Sequence, residues 1–310
     1  MIEIENLDFE YDDYRALTDL TAHVPEGSVT ALVGPNGAGK TTLIRCVVAL
    51  TRPAQGRVTV AGIDVHDAPR ASHRLMGYLP DFFGVYTDLT VSQCLHHRAA
   101  TQEVTGKAAA EAVAWAADRL GIADRMGQKA GTLSRGLRQR LAIAQTIVHK
   151  PKVLFLDEPA SGLDPEARIE LGGLIRELGE TGMTVVVSSH ILAELADYST
   201  HMMILRDGRL VEFGPVDVSA VSGGPVDLEL VLSGPAADHA ATVTTLVPDA
   251  TEISASGAIL RFTLPAEVAA SPDLLKSLVG ADLPVVYLAP KRRDLQDSYL
   301  RSLKNQGGAA

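Results

Sequence analysis

The chain has 310 residues, of which 46% are hydrophobic, and its formal net charge at pH 7 is −10. That length allows two domains, and that apolar content excludes a largely disordered chain. The acidic balance argues against a nucleic-acid-binding protein, which usually carries a basic face, and we interpret the small basic group Arg135, Arg138 and Arg140 as solvated surface.

The N-terminal segment "MIEIENLDFEYDDY" is acidic and lacks a basic stretch followed by an apolar run, so we expect no secretory signal. No apolar run reaches the length of about 18 residues that a membrane span needs. The two cysteines, Cys46 and Cys94, have no ligand-like spacing and fit a reducing compartment. We therefore expect a cytoplasmic protein, and any membrane spans that it works with must belong to another chain.

Short apolar runs alternate with helical patterns along the first two thirds of the chain. The runs "SVTALVG" (28–34), "KVLFLDEP" (152–159) and "MTVVVSSH" (183–190) are typical of buried strands in a parallel sheet that is covered on both faces. The segments "AAAEAVAWAADRLGI" (108–122) and "PEARIELGGLIREL" (165–178) favour helices. This order predicts an α/β domain whose polar chemistry lies at the carboxyl ends of the strands.

The pattern changes after residue 215. The segment "VDVSAVSGGP" (216–225) has the composition of a linker. Three strand candidates follow, "VDLELVLSG", "GAILRFTL" and "LPVVYLAP", with helical candidates "AADHAATVTTL" and "SPDLLKSLVG" between them. We therefore predict two domains, an α/β domain over 1–215 and a small α+β domain over 216–310.

The segment "GPNGAGKT", Gly34–Thr41, fits the phosphate-loop pattern between a predicted strand and a predicted helix. Its glycines allow backbone N–H groups to surround phosphate, and the helix start adds its positive dipole end. Lys40 can reach the β- and γ-phosphates, and the Thr41 hydroxyl can bind Mg²⁺. Its position in the chain disfavours an ordinary glycine-rich turn, but kinases, GTPases and transport motors share the motif.

Two adjacent carboxylates end the apolar run "VLFLD". Asp157 is suited to hold Mg²⁺, and Glu158 then points to the region beyond the γ-phosphate, where a water is oriented for attack. The alternative, a solvated pair at the surface, is disfavoured by the apolar strand. A kinase would instead use its acidic residue on a substrate hydroxyl.

The segment "TLSRGLRQRLAIAQTIVHKP" predicts a helix that begins near Ser134 and ends before Pro151. Its apolar side carries Leu137, Leu141, Ala144 and Val148. The Ser134 hydroxyl can either cap this helix or bind an anion, and the segment alone leaves both readings open.

The phosphate loop, "LSRGL", "LFLDEP", "SGLD" and "SSH", in this order and at these distances, together resemble the ATP-binding cassettes of ABC transporters. The resemblance covers Ile2–Gly214. It implies a P-loop NTPase fold with a RecA-like core sheet and a helical subdomain at about 82–150, and it implies hydrolysis of ATP with Mg²⁺. It also implies a head-to-tail homodimer, in which the signature segment of one subunit contacts the ATP held by the phosphate loop of the other.

The resemblance assigns roles to individual residues. Tyr11 would stack on adenine, with Tyr14 as the competing candidate, and Glu158 and His190 would act in catalysis. Thr41 and Asp157 would hold Mg²⁺. The residues implied in ATP binding are Tyr11, Gly34, Pro35, Asn36, Gly37, Ala38, Gly39, Lys40, Thr41 and Thr42, and those implied in the signature are Leu133, Ser134, Arg135, Gly136 and Leu137.

Several of these positions depart from the family pattern or concern the interfaces. Asp81 replaces the usual glutamine that touches Mg²⁺ and couples to the membrane partner. Arg135 replaces the usual first glycine of the signature pair, and Leu137 replaces its usual glutamine. Asp164 matches the loop that crosses the dimer interface.

The segment after residue 215, with its tail "DLQDSYLRSL", resembles the accessory domain of cassettes that power drug, antibiotic and lipid-linked exporters. This implies a separately encoded permease and a place on the inner face of the cell membrane. The competing readings are a non-transport cassette ATPase, a small-molecule kinase and a regulatory ATP-binding module. We expect no nucleic-acid partner.

Overall fold

A computed structural model describes residues 1–189, 195, 197–216, 226–269 and 272–290. The described residues up to Val216 form one compact unit, and those from Val226 onward form a second. His190 and the tail after Pro290 lie outside the described residues.

The first unit contains two sheets and several helices. Its strands are β1 (Ile2–Tyr11), β2 (Tyr14–Val24), β3 (Val29–Val33), β4 (Gln55–Val60), β5 (Ile63–Asp64), β6 (Met76–Leu79), β7 (Val153–Asp157), β8 (Thr184–Ser189), β9 (His201–Arg206) and β10 (Arg209–Pro215). Its helices are α1 (Lys40–Val47), α2 (Pro69–His73), α3 (Val91–Thr101), α4 (Gly106–Arg119), α5 (Arg135–Ile147) and α6 (Pro165–Glu180).

The larger sheet has the strand order β10-β9-β3-β8-β7-β6, and its neighbours are parallel except for the antiparallel pair β9 and β10. Along β7, Leu154 and Leu156 pack on one face of the sheet, whereas Val153 and Phe155 pack on the other. Because both faces are buried, the strands have continuous apolar runs instead of an alternating pattern. The predicted parallel sheet, with β3, β7 and β8 in it, is confirmed.

A smaller antiparallel sheet of order β2-β1-β4-β5 packs with α1 on one side of the larger sheet. The helix after the phosphate loop was predicted, whereas none of the four strands of this sheet was. Ile2 and Ile4 of β1 are nevertheless buried while Glu3 and Glu5 are exposed, which is the alternation of a strand with one buried face. The hydrophobic core on the other side of the larger sheet includes residues of α3, α4, α5 and α6.

The second unit is a four-stranded antiparallel sheet of order β12-β13-β11-β14 with helices on it. Its elements are β11 (Val226–Leu232), α7 (Ala240–Leu246), β12 (Thr251–Ser256), β13 (Ile259–Leu264), α8 (Ala266–Ala269), α9 (Pro272–Gly280) and β14 (Val285–Pro290). Leu230 and Phe262 of the sheet share its core with Val243 and Leu278 of the helices. The strand β12 was not predicted, because its burial pattern is almost entirely exposed.

The burial of the two cysteines gives a test of the fold. Cys46 and Cys94 are free thiols inside the first unit. Burial raises the pKa of Cys46 to about 12, and it also raises the pKa of Cys94. Since the thiolate is the reactive form, we expect both thiols of the native protein to react slowly with a disulfide reagent at pH 8. In guanidinium-unfolded protein, both thiols should react at once. Rapid reaction of both thiols in the native protein would contradict this packing.

Candidate nucleotide-binding site

The predicted phosphate loop connects β3 to α1 and depends on its glycines. Gly37 and Gly39 have φ angles of 82° and 101°, in the left-handed region. A Cβ atom at Gly39 would come within 2.8 Å of the Ala16 carbonyl oxygen, and one at Gly34 would overlap the Leu205 carbonyl oxygen. Helix α1 begins after Gly39 without a side-chain cap, so its first N–H groups face the loop. The loop is therefore a cradle for an anion.

Lys40 places a cation inside this loop. Its Nζ donates hydrogen bonds to the carbonyl oxygens of Gly34 at 2.7 Å and Pro35 at 3.3 Å, and it lies 3.8 Å from Oε1 of Glu158. Burial lowers the pKa of Lys40, and the nearby Glu158 and Asp157 carboxylates oppose that shift. The Lys40 ammonium group is thus held between the backbone of the loop and the carboxylate of Glu158, the candidate catalytic residue.

Asp157, at the end of β7, joins the neighbouring elements through both of its carboxylate oxygens. The Thr41 hydroxyl donates to Oδ2 at 2.8 Å, and the Ser188 hydroxyl donates to Oδ1 at 2.5 Å. Among the described residues no group of three acidic, histidine or cysteine side chains forms a metal cluster. Mg²⁺ usually takes only one or two protein carboxylates beside water and substrate phosphates. The adjacent oxygens of Thr41 and Asp157 fit such an ion.

Glu158 follows directly and leaves the strand at a sharp turn. Its backbone has a φ of 48°, a left-handed conformation that costs a residue other than glycine about 1–3 kcal/mol. Its N–H donates to the Ser188 hydroxyl at 2.9 Å, and its carbonyl accepts from the Ser161 N–H at 3.0 Å. The structure therefore brings Lys40, Asp157 and Glu158 to one edge of the sheet.

The two tyrosine candidates face each other across the hairpin between β1 and β2, where Tyr11 pairs with Tyr14. Both rings are exposed, at 47% and 55%. Tyr11 also stacks edge-on against Phe9, and its hydroxyl lies 3.4 Å from that of Thr42. Tyr11 is thus the tyrosine whose hydroxyl reaches the phosphate loop.

Asp81 lies two residues after β6, the strand that pairs with β7. Burial, together with the Asp157 and Asp81 carboxylates, raises the pKa of Tyr78 to about 12. The Asp81 and Asp157 carboxylates therefore both act on the same tyrosine of β6. The next residue, Phe82, is 92% exposed.

The signature segment forms the start of α5, as predicted. Ser134 caps the helix, because its Oγ accepts a hydrogen bond from the Leu137 N–H at 3.3 Å, and Leu133 before it is buried. Asp164 caps α6 in the same way by accepting from the Ala167 N–H at 2.9 Å. In the described ranges, no hydrogen bond connects the segment 133–137 to the phosphate loop of the same chain.

Comparison with known proteins identifies the family. The family described as ABC transporter matches residues 17–161. YdbJ of Bacillus subtilis (strain 168), an uncharacterized ABC transporter ATP-binding protein, is 32% identical over 305 residues, which are 97% of this chain and 95% of that protein. The chain belongs to the ABC transporter ATP-binding proteins. Its cassette is an ATPase domain of that family, and the predicted P-loop fold is confirmed.

Other matches cover about two thirds of this chain. YbhF of Escherichia coli (strain K12), a probable multidrug ABC transporter ATP-binding protein, is 40% identical over 202 residues, which are 65% of this chain and 35% of YbhF. The solved structure of cbiO1 from Clostridium perfringens, part of the ABC transporter complex cbiONQ, superposes with a TM-score of 0.63 at 27% identity. That match covers 69% of this chain and 88% of cbiO1.

Ser188 is a residue of this ABC site that was not predicted. It is fully buried in β8 and pairs with Asp157 in the parallel register, so its hydroxyl connects the Asp157 carboxylate to the Glu158 backbone. The signal in the sequence is the pair of serines that ends an otherwise apolar strand. A buried hydroxyl needs a partner, and the end of a neighbouring parallel strand supplies it.

We expect Ser188→Ala to lower kcat for ATP about tenfold and to destabilise the fold, because the buried Asp157 carboxylate loses a hydrogen-bond donor at a cost of about 1–3 kcal/mol. The Glu158 N–H also loses the hydroxyl and keeps its longer bond, at 3.2 Å, to the Ser188 carbonyl oxygen. Steady-state ATPase assays and thermal unfolding measure both effects. Ser72→Ala is the control, because it removes a buried hydroxyl whose one partner among the described residues is the Pro69 carbonyl, outside the site. It should lower stability and keep kcat. Full activity of Ser188→Ala would contradict the role given to this hydroxyl.

Proposed function

We propose that this chain hydrolyses ATP as one of two head-to-tail cassettes and thereby powers export by a separately encoded membrane permease. The observation that carries the proposal is the meeting of Lys40, Thr41, Asp157 and Glu158 at one end of the parallel sheet. A loop for phosphate, two oxygens for Mg²⁺ and a carboxylate beside the loop lysine are the parts that ATP hydrolysis requires.

In this proposal each group of the site has one task. Lys40 and the loop N–H groups bind the β- and γ-phosphates, and Thr41 and Asp157 hold Mg²⁺. Mg²⁺ held by these residues would offset negative charge on the phosphate oxygens. The Glu158 carboxylate orients the attacking water and accepts its proton, while its own backbone is fixed by Ser188. The Tyr11 ring stacks on adenine, and His190 contacts the γ-phosphate.

The signature segment 133–137 contacts the nucleotide of a second copy of the chain. Each ATP then touches both cassettes only when they are closed, so it favours the closed dimer by its differential affinity. Raising the ratio of closed to open dimers from 1:99 to 99:1 needs roughly 5.5 kcal/mol. Two nucleotides with two charge-assisted hydrogen bonds each, at about 1.5–3 kcal/mol per bond, can supply this. Loss of the γ-phosphate removes those bonds and allows opening.

No helix among the described residues is long and apolar enough to cross a membrane. Asp81 and the exposed Phe82 lie in the loop after β6, the strand next to β7, and the Phe82 ring offers the permease an apolar contact. The cassette then sits on the inner face of the cell membrane. The name of YbhF, a multidrug transporter component, supports export, and the membership of cbiO1 in a transporter complex supports the partner.

We assign residues 1–215 to the ABC cassette, with its helical subdomain at about 82–150, and residues 216–310 to an accessory domain that supports dimerisation or regulation. The alternative functions are a non-transport ABC-type ATPase and a regulatory ATP-binding module. Stimulation of ATP turnover by a co-purified membrane protein favours the transporter over both.

We expect Glu158→Gln to bind ATP with Mg²⁺ normally, to hydrolyse it at least about a hundredfold more slowly and to accumulate as a dimer, because binding is kept and proton acceptance is lost. Light scattering after gel filtration measures the dimer, and phosphate release measures turnover. Lys40→Ala should instead lose ATP affinity and stay monomeric.

Glu177→Gln on α6 is the matched control for the Glu158 variant, because it makes the same change at an exposed position. It should behave like the unmodified chain. Rapid hydrolysis by Glu158→Gln would remove this carboxylate from its assigned role, and a monomeric ATP complex of that variant in the presence of its membrane partner would refute the paired-cassette mechanism.

We expect Phe82→Asp to weaken association with the membrane partner about tenfold or more without changing ATP affinity, because this ring is almost fully exposed beside the site. Co-purification of membrane proteins with the tagged chain from detergent extracts measures the association. Leu50→Asp, at another exposed apolar side chain, is the control and should keep it. Equal recovery of the same membrane protein with Phe82→Asp would exclude this loop from the contact.

A further inference from the structure

The arginine of the signature segment contacts the loop between β7 and α6 of its own chain. The Arg135 Nη2 donates a hydrogen bond to the Ser161 carbonyl oxygen at 2.9 Å. The guanidinium also lies against Gly162, where an added Cβ atom would overlap it. Gly162 has a φ of 67°, so a side chain there would be strained as well. Arg135 is therefore seated on a turn that has the shape to receive it.

This turn is continuous with the catalytic carboxylate on one side and with the cap of α6 on the other. The Ser161 N–H donates to the Glu158 carbonyl at 3.0 Å, and the Leu163 N–H donates to the Ala160 carbonyl at 3.2 Å. The next residue, Asp164, caps α6. A displacement of the Ser161 carbonyl therefore acts on the backbone of Glu158 through one hydrogen-bonded turn.

The two helices that flank the turn are also joined. Arg140 on α5 forms an ion pair with Glu170 on α6, and a Cβ atom at Gly136 would be in ordinary contact with that of Ala167, at 3.5 Å. Arg135 thus lies at the start of α5, where an ion pair and one close approach connect α5 to α6.

We propose that Arg135 is a positioning residue that fixes the turn Ser161–Gly162 and, through it, the backbone of Glu158. This inference rests on the proposed function. The signature segment of a chain meets the ATP of the partner, whereas Glu158 of that chain acts on its own ATP. Through Arg135, the position of the signature segment, which contacts the partner's ATP, affects hydrolysis of the ATP bound to the same chain. Arg135 thereby couples the two nucleotide sites of the dimer.

The chemistry of the side chain fits this task. A guanidinium is planar, always charged and able to donate to a carbonyl oxygen while its flat face covers a glycine. A lysine keeps the charge but has no such face. A glycine at this position makes neither contact. If Arg135 instead contacts only the partner's ATP, or only solvent, its replacement leaves the turn unchanged.

A double-mutant cycle on the full-length chain distinguishes these roles. In the presence of Arg135, Gly162→Ala must displace the guanidinium as well as strain the backbone, whereas with Arg135→Gln only the backbone strain remains. If each single change lowers kcat about tenfold, independent effects would lower kcat of the double variant about a hundredfold. We expect a much smaller decrease, because both changes disturb the same contact. The affinity for a fluorescent ATP analogue should change less than about twofold in Arg135→Gln, since the phosphate loop is untouched.

Hydrogen exchange on the nucleotide-free protein gives a readout that does not need activity. Arg135→Gln should speed exchange of the Ser161 and Leu163 amides, and Arg135→Lys should give an intermediate rate. Arg138→Gln removes the same charge one turn further along α5 and should leave these amides and kcat as they are. Multiplicative losses of kcat, or unchanged exchange in both Arg135 variants, would overturn the inference. Absence of ATP turnover in the unmodified chain would refute the proposed function instead, while the exchange rates would still decide whether Arg135 fixes the turn.

Discussion

The buried carboxylate of Asp157 is the interaction on which the site depends. It is 1% exposed, and a charge at that depth is tolerated only when its oxygens are hydrogen-bonded. Thr41 satisfies one oxygen from the phosphate loop, and Ser188 satisfies the other from the neighbouring strand. The same Ser188 hydroxyl fixes the Glu158 backbone. The Asp157 carboxylate therefore sets the positions of the phosphate loop, of the two candidate Mg²⁺ ligands and of Glu158, the candidate catalytic residue.

The phosphate loop is supported from behind by the remaining elements of the first unit. The Gly208 N–H, in the turn between β9 and β10, donates to the Ala38 carbonyl at 3.2 Å, and the Gly208 carbonyl accepts from the Thr18 N–H of β2 at 2.8 Å. Gly208 and Gly39 both approach the Ala16 carbonyl too closely for a Cβ atom. The antiparallel sheet therefore supports the predicted phosphate loop in addition to covering the core.

Local patterns in the sequence were enough to predict those parts of the site that depend on one segment. The apolar run that ends in Asp157 and the helix start at Ser134 each carry their own signal. Ser188 was missed because its role depends on the parallel register between β7 and β8, which no single segment encodes. The bond from Arg135 to Ser161 was missed for the same reason, because it joins residues 26 positions apart through the packing of α5 and α6. On composition alone, the basic group Arg135, Arg138 and Arg140 was interpreted as solvated surface.

The two readings of Ser134 that the sequence left open are compatible in the structure. A hydroxyl carries one hydrogen and two lone pairs. Ser134 uses a lone pair to accept from the Leu137 N–H, so capping α5 leaves its hydrogen able to donate to a phosphate oxygen. Capping also fixes the direction of that hydroxyl at the positive end of the helix dipole. Arg135, the next residue, turns back to its own chain and donates to the Ser161 carbonyl oxygen. In the proposed dimer, neighbouring side chains of one segment therefore serve the partner's nucleotide and the turn Ser161–Gly162 of their own chain.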